Sequence, residues 1–405
     1  MSIALNKRSA LSVIRALRAN GSPRTMFEKR TDLPLPSHSS RKKWTRSAFG
    51  FEALGLGSCL DKATPLDIAV PNAEARVRLV NSTCSVYASG IPPKSFVPVE
   101  NAESKGASNQ TVFSCPELVF IEMATVLSPM ELVMLGHELC GTFSRDAADP
   151  ACGPVTFGVE PVTSAERIAA FIDQVKNVRG KEVARKMVRF VDDNAWSPME
   201  SLVAALLRMR ADDLGFSFES LVLNPRVSIQ DGEEATKDST RVPDILVSGT
   251  KVGLNYDGMV HLDLAAVARA AAEAATHPES AYPQEILETT MSHVRAKAVD
   301  DLRRNRELAS AGYTVLPVVK EDLIEPGGIE QLVMRLIAAV ESETGQSLEA
   351  QRRACSLMAL TDERHKLVMS LLPGKHERDI KLARFVGGFK VVDGPQEAIE
   401  CMVEL

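Results

Sequence analysis

The sequence predicts a mixed α/β (α+β) protein with an N-terminal α+β unit, a central domain of order α-β-β-β-α-β and a mainly helical C-terminal extension. Two observations support this class. Some short segments alternate apolar and polar residues with period two, whereas longer ones repeat apolar residues at helical spacing. The composition over 405 residues, 45% hydrophobic and 25% charged, is that of a globular chain of two or three domains.

The first 50 residues are strongly basic. They hold eleven Lys and Arg residues against Glu28 and Asp32, so this segment carries +9 while the rest of the chain carries −15. A short helix at residues 9–19, N-capped by Ser9, and a Pro- and Ser-containing linker at residues 32–40 predict a basic arm over residues 1–50. Such an arm can bind a polyanion by counterion release. A solvated terminus without a partner is the alternative.

Residues 51–145 predict a small α+β unit. Strands are expected at residues 66–70 and 77–79, and two apolar helices at residues 116–126 and 129–140. A segment rich in Asp, Pro and Gly then leads into a helical stretch at residues 164–191.

The central domain is expected over residues 164–325. Ser197 and Pro198 begin its best-marked helix as N-cap and first helical residue. The expected strands lie at residues 220–229, 242–247, 251–257 and 313–319, and a Ser248-Gly249-Thr250 turn joins the second to the third. Two helices, at residues 262–275 and 284–311, separate the third strand from the fourth. The extension over residues 330–405 reads as helices with one short strand at residues 389–392.

Three polar side chains are predicted to converge at the end of this hairpin. Asn255 and Asp257 lie on one face of their strand because side chains alternate, and Asp244 follows Pro243 on the partner strand. Converging carboxylates require a proton or a cation. Oxygen ligands of this kind suit Mg²⁺ or Mn²⁺, so Asp244, Asn255 and Asp257 are the predicted metal ligands.

Further polar residues complete the candidate site. His261 would orient or deprotonate an attacking water, and Glu200 would support the site from the first turn of its helix. Lys297, Asp301 and Arg304 share one stripe of the long helix, from which Lys297 and Arg304 would neutralise a phosphate. Each predicted site residue has a structural alternative. Asp244 and Asp257 can be turn-flanking polar residues, and His261 can be a surface residue at a helix N-terminus. Asp301 and Arg304 can form an ordinary ion pair, Lys297 can be solvated, and Glu200 can complement the helix dipole.

These residues carry a family resemblance. The motifs are R-V-P-D at residues 241–244, G-L-N-Y-D-G at residues 253–258, His261, and D-x-x-R at residues 301–304. Together they resemble the PD-(D/E)XK nuclease superfamily and, within it, the very-short-patch-repair-endonuclease-like branch. The resemblance spans residues 197–319. It implies a restriction-endonuclease-like core and metal-dependent hydrolysis of DNA, with RNA as an open alternative.

One position departs from the family pattern. The family has a glutamate, usually a metal ligand, where this chain has Asn255. An amide oxygen can still coordinate a cation, but the site loses a negative charge on which its affinity for a hard divalent ion depends. We therefore expect weakened metal binding and weakened or lost turnover.

The upstream unit carries a second resemblance. P-L-D-I-A-V-P at residues 65–71, S-C-P-E at residues 114–117 and L-S-P-M-E-L at residues 127–132 are similar to the antitoxin component of AbiE-type abortive-infection systems. In actinobacterial chains of that kind, such a unit commonly precedes a nuclease-like domain. This resemblance implies a partner protein of a toxin-antitoxin type system.

The main functional prediction is a metal-dependent endonuclease-like protein acting on DNA. The alternative is a non-catalytic nucleic-acid-binding or antitoxin-like regulator, and an interaction protein that binds no nucleic acid remains open. Seven cysteines without a C-x-x-C pair, no apolar N-terminal segment and no apolar run longer than residues 202–207 predict a reduced, cytoplasmic protein that does not enter a membrane.

Overall fold

The computed structural model describes residues 2–35, 51, 56–57, 60, 64–77, 79–87, 90–99, 110–229, 240–256, 264–276 and 281–372. The chain divides into two compact units, Met1–Glu219 and Ser220–Leu405. The predicted mixed α/β class is confirmed, because helices accompany sheets with both parallel and antiparallel strands. No helix within these ranges combines the length and the apolar composition that a bilayer span requires.

The first unit combines a five-stranded sheet, a small hairpin and seven α-helices among its described residues. Its strands are β1 (Ser2–Leu5), β2 (Leu66–Val70), β3 (Ser82–Val86), β4 (Phe96–Pro98), β5 (Gln110–Ser114), β6 (Phe143–Ser144) and β7 (Thr156–Phe157). Its helices are α1 (Lys7–Ala19), α2 (Arg24–Glu28), α3 (Pro116–Met123), α4 (Pro129–Cys140), α5 (Ala165–Gln174), α6 (Lys181–Met187) and α7 (Pro198–Arg208).

The start of the chain belongs to the sheet, which corrects the prediction of an arm over residues 1–50. The strand order is β3-β2-β1-β5-β4, so β1 is the central strand, parallel to β5 and antiparallel to β2. Helix α1 begins after Asn6 rather than at Ser9, whose hydroxyl instead accepts a hydrogen bond from the Asp67 N–H. Residues 36–50, the rest of the predicted arm, lie outside the described residues.

Two of the eleven basic residues of this segment are internal structural groups. Arg15 forms two hydrogen bonds, of 2.8 and 2.7 Å, with the carboxylate of Glu138 on α4. Arg18 donates to the carbonyl oxygens of Glu138, at 2.8 Å, and Gly141, at 2.7 Å, at the end of the same helix. Backbone carbonyls in the last turn of a helix lack the usual helical partners, and Arg18 supplies donors to two carbonyls at this end of α4. These two charges therefore tie α1 to α4.

Other predictions for this unit differ in detail. The strand at residues 66–70 and the helices of residues 116–126 and 129–140 are present, the helices as α3 and α4. Residue 78 of the strand expected at residues 77–79 lies outside the described residues, and no described strand begins between Val70 and Ser82. The strand that pairs with β2 is instead β3, whose residues are mostly polar and at least partly exposed because it lies at the sheet edge. Helix α7 begins as predicted, with the Ser197 side chain accepting from the Glu200 N–H.

The second unit contains a four-stranded sheet, a two-stranded sheet and six α-helices in the part of it that is described. The strands are β8 (Leu221–Leu223), β9 (Val227–Ser228), β10 (Thr240–Arg241), β11 (Ile245–Val247), β12 (Val252–Tyr256) and β13 (Thr314–Val318). The helices are α8 (Leu264–Thr276), α9 (Ala281–Ser310), α10 (Lys320–Ile324), α11 (Gly328–Thr344), α12 (Glu349–Ser356) and α13 (Met358–Leu371). The predicted strand at residues 220–229 is divided into β8 and β9 around Asn224, which has a positive φ, and Pro225.

The four-stranded sheet has the order β13-β12-β11-β8. Strands β8, β11 and β12 pair antiparallel, whereas β13, reached through α8 and α9, is parallel to β12. The predicted hairpin is confirmed: Gly249 has a φ of +79° in the turn, a conformation that favours glycine. At Gly253 a Cβ atom would lie 2.1 Å from the Ile245 carbonyl oxygen, so glycine is required where β11 and β12 approach.

Helices cover this sheet and form its core. Leu308 of α9 packs with Leu246 and Val227, and Tyr313 and Val315 border the same cluster. Helix α11 packs on β12 and β13, so the start of the predicted extension over residues 330–405 is part of the second unit. The expected strand at residues 389–392 lies outside the described residues.

Candidate functional site

The open end of the β11–β12 hairpin brings Asp244 and Asn255 together, as predicted. The Asp244 N–H donates to the Asn255 Oδ1 at 3.0 Å, and the Tyr256 N–H donates to the Asp244 Oδ2 at 2.6 Å. Each of these side chains therefore bonds to the backbone of the opposite strand. The interactions continue the hairpin beyond its last backbone pair, Ile245 and Leu254.

Helix α9 approaches the same point through Asn305. The Asn255 Nδ2 donates to the Asn305 Oδ1 at 3.3 Å, and Asn255 is only 1% exposed. Both ends of the Asn255 amide thus have a partner inside the protein. A buried polar group requires such partners, so Asn255 has a structural role irrespective of any catalytic one.

Asp301 and Arg304 form an ion pair at 3.4 Å on α9, with side chains 28% and 22% exposed. Three residues further along, Glu307 pairs with Arg241 of β10. Asn305 and Glu307 were not among the predicted site residues. Asn305 lies one turn beyond Asp301 and so shares its side of the helix, a signal that could have identified it.

Three of the other predicted site residues are not described: Asp257 and His261 lie outside the described residues, and the Lys297 side chain is likewise not described. Glu200 belongs to the first unit, where its carboxylate accepts from the Trp196 N–H at 3.0 Å. Together with the Ser197 cap, this contact gives Glu200 the structural role of a helix-capping residue.

The described donors do not form a strong divalent-metal site by themselves. Asp244 supplies one carboxylate and Asn255 one amide oxygen, and both already accept a backbone hydrogen bond. Within the described ranges there is no group of three or more His, Cys, Asp or Glu residues positioned to hold a metal. A hard divalent cation prefers several charged oxygen ligands, so one carboxylate and one amide fit it poorly.

Tyr256 borders this cluster but is not a candidate base. Burial raises the pKa of its phenol to about 12, and Glu321 adds to the shift. The phenol therefore stays protonated at neutral pH and can only donate or accept a hydrogen bond.

The first unit holds a separate buried polar cluster around Glu122. Its carboxylate accepts hydrogen bonds from the Tyr87 hydroxyl at 2.7 Å, the Ser114 hydroxyl at 2.8 Å and the Lys7 N–H at 2.8 Å. Burial raises the pKa of Glu122 to about 7, against the opposing effect of these hydrogen bonds. Glu122 is 1% exposed and lies at the first turn of α1, so it connects that helix to β3 and β5.

Comparisons with known proteins identify no relative. Protein-family models, curated proteins and solved structures give no significant match to this chain.

Proposed function

We propose that the protein is an endonuclease-like protein of the PD-(D/E)XK type that hydrolyses DNA phosphodiesters weakly, with Mg²⁺ or Mn²⁺. The observation that carries this proposal is the contact between Asp244 and Asn255 at the open end of the hairpin. They occupy the two motif positions at which the family places metal-ligating acids.

The sheet topology supports the same proposal. Three antiparallel strands, β8, β11 and β12, are followed by helical structure and then by β13 parallel to β12. This order agrees with the β-β-β-α-β part of the core that the resemblance implies. Helix α7, at the place in the sequence where the opening helix is expected, belongs to the first unit.

We expect this site to bind a cation weakly because it holds few negative charges. Asp244 and Asp257 would hold the cation, with Asn255 as a neutral third ligand, and His261 would orient the attacking water. Arg304 would neutralise the phosphate from α9. Replacing a carboxylate with an amide removes charge from a site that depends on it, so slow turnover is expected.

A plasmid-cleavage assay tests the proposal. Purified full-length protein in excess over supercoiled plasmid with Mn²⁺ should nick it slowly, and Asn255→Glu should nick it faster by about tenfold or more. The added carboxylate faces Asn305, whose amide can rotate to present its NH₂ group as a donor.

Two further variants make the assay specific. Asp244→Asn should abolish cleavage, whereas the matched change Asp362→Asn on the exposed surface of α13 should leave it unchanged. If neither wild type nor Asn255→Glu cleaves DNA with either metal, the enzymatic proposal is lost. If Asp244→Asn cleaves as wild type does, the nicking comes from a contaminant.

The second candidate is a non-catalytic nucleic-acid-binding or antitoxin-like regulator, with a toxin-type protein as a further proposed partner. The observation that favours it is the Asn255 amide, which is buried and forms hydrogen bonds with protein groups at both of its ends. A salt-dependent gel shift of labelled DNA or RNA that survives Asp244→Asn, with no cleavage, would support this function. Deleting residues 1–50 cannot test it, because β1 is a central strand.

A further inference from the structure

Helix α9 presents a long exposed face with charges separated along its length. Glu285 and Glu288 are exposed near its start, and Arg303 and Arg306 are exposed near its end. None of these four forms an ion pair with another described residue. The helix is therefore acidic at one end and basic at the other on one accessible side.

Apolar residues lie between the charges on that side. Met291 is 53% exposed, Val299 38% and Leu302 66%. At 3.6 residues per turn, these positions share a face with the four charged residues. The opposite side of α9 is covered, since it packs against α8, β10 and β13 and includes the buried Leu308. We call the exposed face, with its four charged and three apolar residues, the outer stripe.

We propose that the outer stripe is a self-association surface on which α9 of a second copy docks antiparallel. The charge spacing supports this partner. Residues 285 and 306 have the same midpoint as residues 288 and 303, halfway between positions 295 and 296. One two-fold axis through that point therefore sets Glu285 opposite Arg306 and Glu288 opposite Arg303 of the second copy.

The distances are consistent with one straight interface. At a rise of 1.5 Å per residue, the outer pair spans about 31 Å of the helix and the inner pair about 22 Å. Under the same symmetry Val299 faces Ser292 of the second copy. Met291 and Leu302 lie within one helical turn of Glu288 and Arg303, the residues of the inner charge pair. A polyanion such as DNA would meet the acidic half as well as the basic one, so the pattern favours a second copy.

Among the described charged side chains near the axis, that of Arg295 opposes this arrangement. It is exposed and lies next to the axis, where it meets its own symmetry mate. Like charges this close repel each other unless the side chains extend into solvent. Arg295→Gln should therefore tighten the association, and a weaker dimer of this variant would contradict the register.

Sedimentation velocity of the full-length protein tests the proposal. At concentrations up to about 100 μM, where a small polar interface is populated, wild type should shift from one chain of 43.9 kDa to two, less so at high salt. Glu288→Arg or Arg303→Glu alone should weaken the dimer about tenfold, because symmetry places each change in the interface twice. Glu273→Arg, an exposed reversal on α8, is the matched control and should have no effect.

A charge exchange provides the decisive result. The double variant Glu288→Arg/Arg303→Glu should dimerise as wild type does, and an equimolar mixture of the two single variants should form a heterodimer. Wild type that stays monomeric throughout, or single variants that associate as strongly as wild type, would overturn the proposal. Since neither variant touches Asp244 or Asn255, this outcome is independent of nuclease activity.

Discussion

Arg15→Met should destabilise the first unit substantially, although a basic residue near the start of a chain would ordinarily be assigned to the surface. The Arg15 guanidinium forms two hydrogen bonds with Glu138, and the two side chains are only 10% and 2% exposed. Methionine fills much of the same space but cannot pair with a carboxylate. Among the described residues, the variant therefore leaves the Glu138 carboxylate buried with one hydrogen-bond donor, the Arg145 N–H at 3.0 Å.

The size of the effect follows from this burial. Breaking a buried ion pair by removing one partner costs about 3–5 kcal/mol, because the remaining charge has lost its water and its partner. Solvent screening is slight at this exposure. Burial alone would raise the pKa of Glu138, but Arg15 and the Arg145 N–H hold it below its usual value. The pair thus stabilises the fold above the unfolded-state pKa of 4.5, and that contribution is lost as pH falls through the lower folded-state value.

Urea unfolding at pH 7, followed by circular dichroism, measures this loss. The matched control is Arg8→Met, since Arg8 is exposed on the same helix, and its cost should be within about 0.5 kcal/mol of zero. The double variant Arg15→Met/Glu138→Leu should be more stable than Arg15→Met, because it also removes the buried carboxylate that has lost its main partner. If Arg15→Met costs no more than Arg8→Met, the reasoning from the buried pair is refuted.

Three further predictions concern stability. Burial raises the pKa of Glu122 to about 7, so its stabilising contribution is complete below pH 4.5 and is lost as pH rises through 7. Glu122→Gln should reduce the slope of the free energy of unfolding against pH in urea titrations, and an unchanged slope would contradict this prediction. Gly253→Ala should cost about 3 kcal/mol by thermal unfolding, against about 1 kcal/mol for Gly249→Ala, because only Gly253 lacks room for a Cβ atom; equal costs would contradict the close approach. Arg364→Met should destabilise the second unit by about 3–5 kcal/mol, since the Arg364 side chain is fully buried against Glu330, and a near-neutral thermal shift would argue against that pair.

Local pattern predicts much of the second unit. Alternation and the Ser248-Gly249-Thr250 turn predict the hairpin, and the structure has it as β11 and β12. The long helix expected at residues 284–311 is α9, Ala281–Ser310, and the following strand is β13. These elements are predictable because their signals lie within a few residues of one another.

The first unit was harder to predict because its determining contacts are long-range. Strand β1 has only four residues, and its place in the sheet is set by its pairing with β2 and β5, which are distant in sequence. Arg15 reads as an exposed base, yet its partner Glu138 lies 123 residues away. Charge composition alone therefore favoured an arm where the fold has a central strand and a buried ion pair.

At the candidate site, sequence could predict that Asp244 and Asn255 meet but not what Asn255 does there. Its partner Asn305 comes from a helix 50 residues further along the chain. An amide both donates and accepts, and Asn255 uses both functions, whereas a glutamate at that position could only accept. Asn305 is itself an amide that can reverse its donor and acceptor ends. The pair therefore suits the neutral residue as it stands, whereas a glutamate at position 255 would place a second carboxylate beside Asp244, and only a bound cation or a proton would offset that charge.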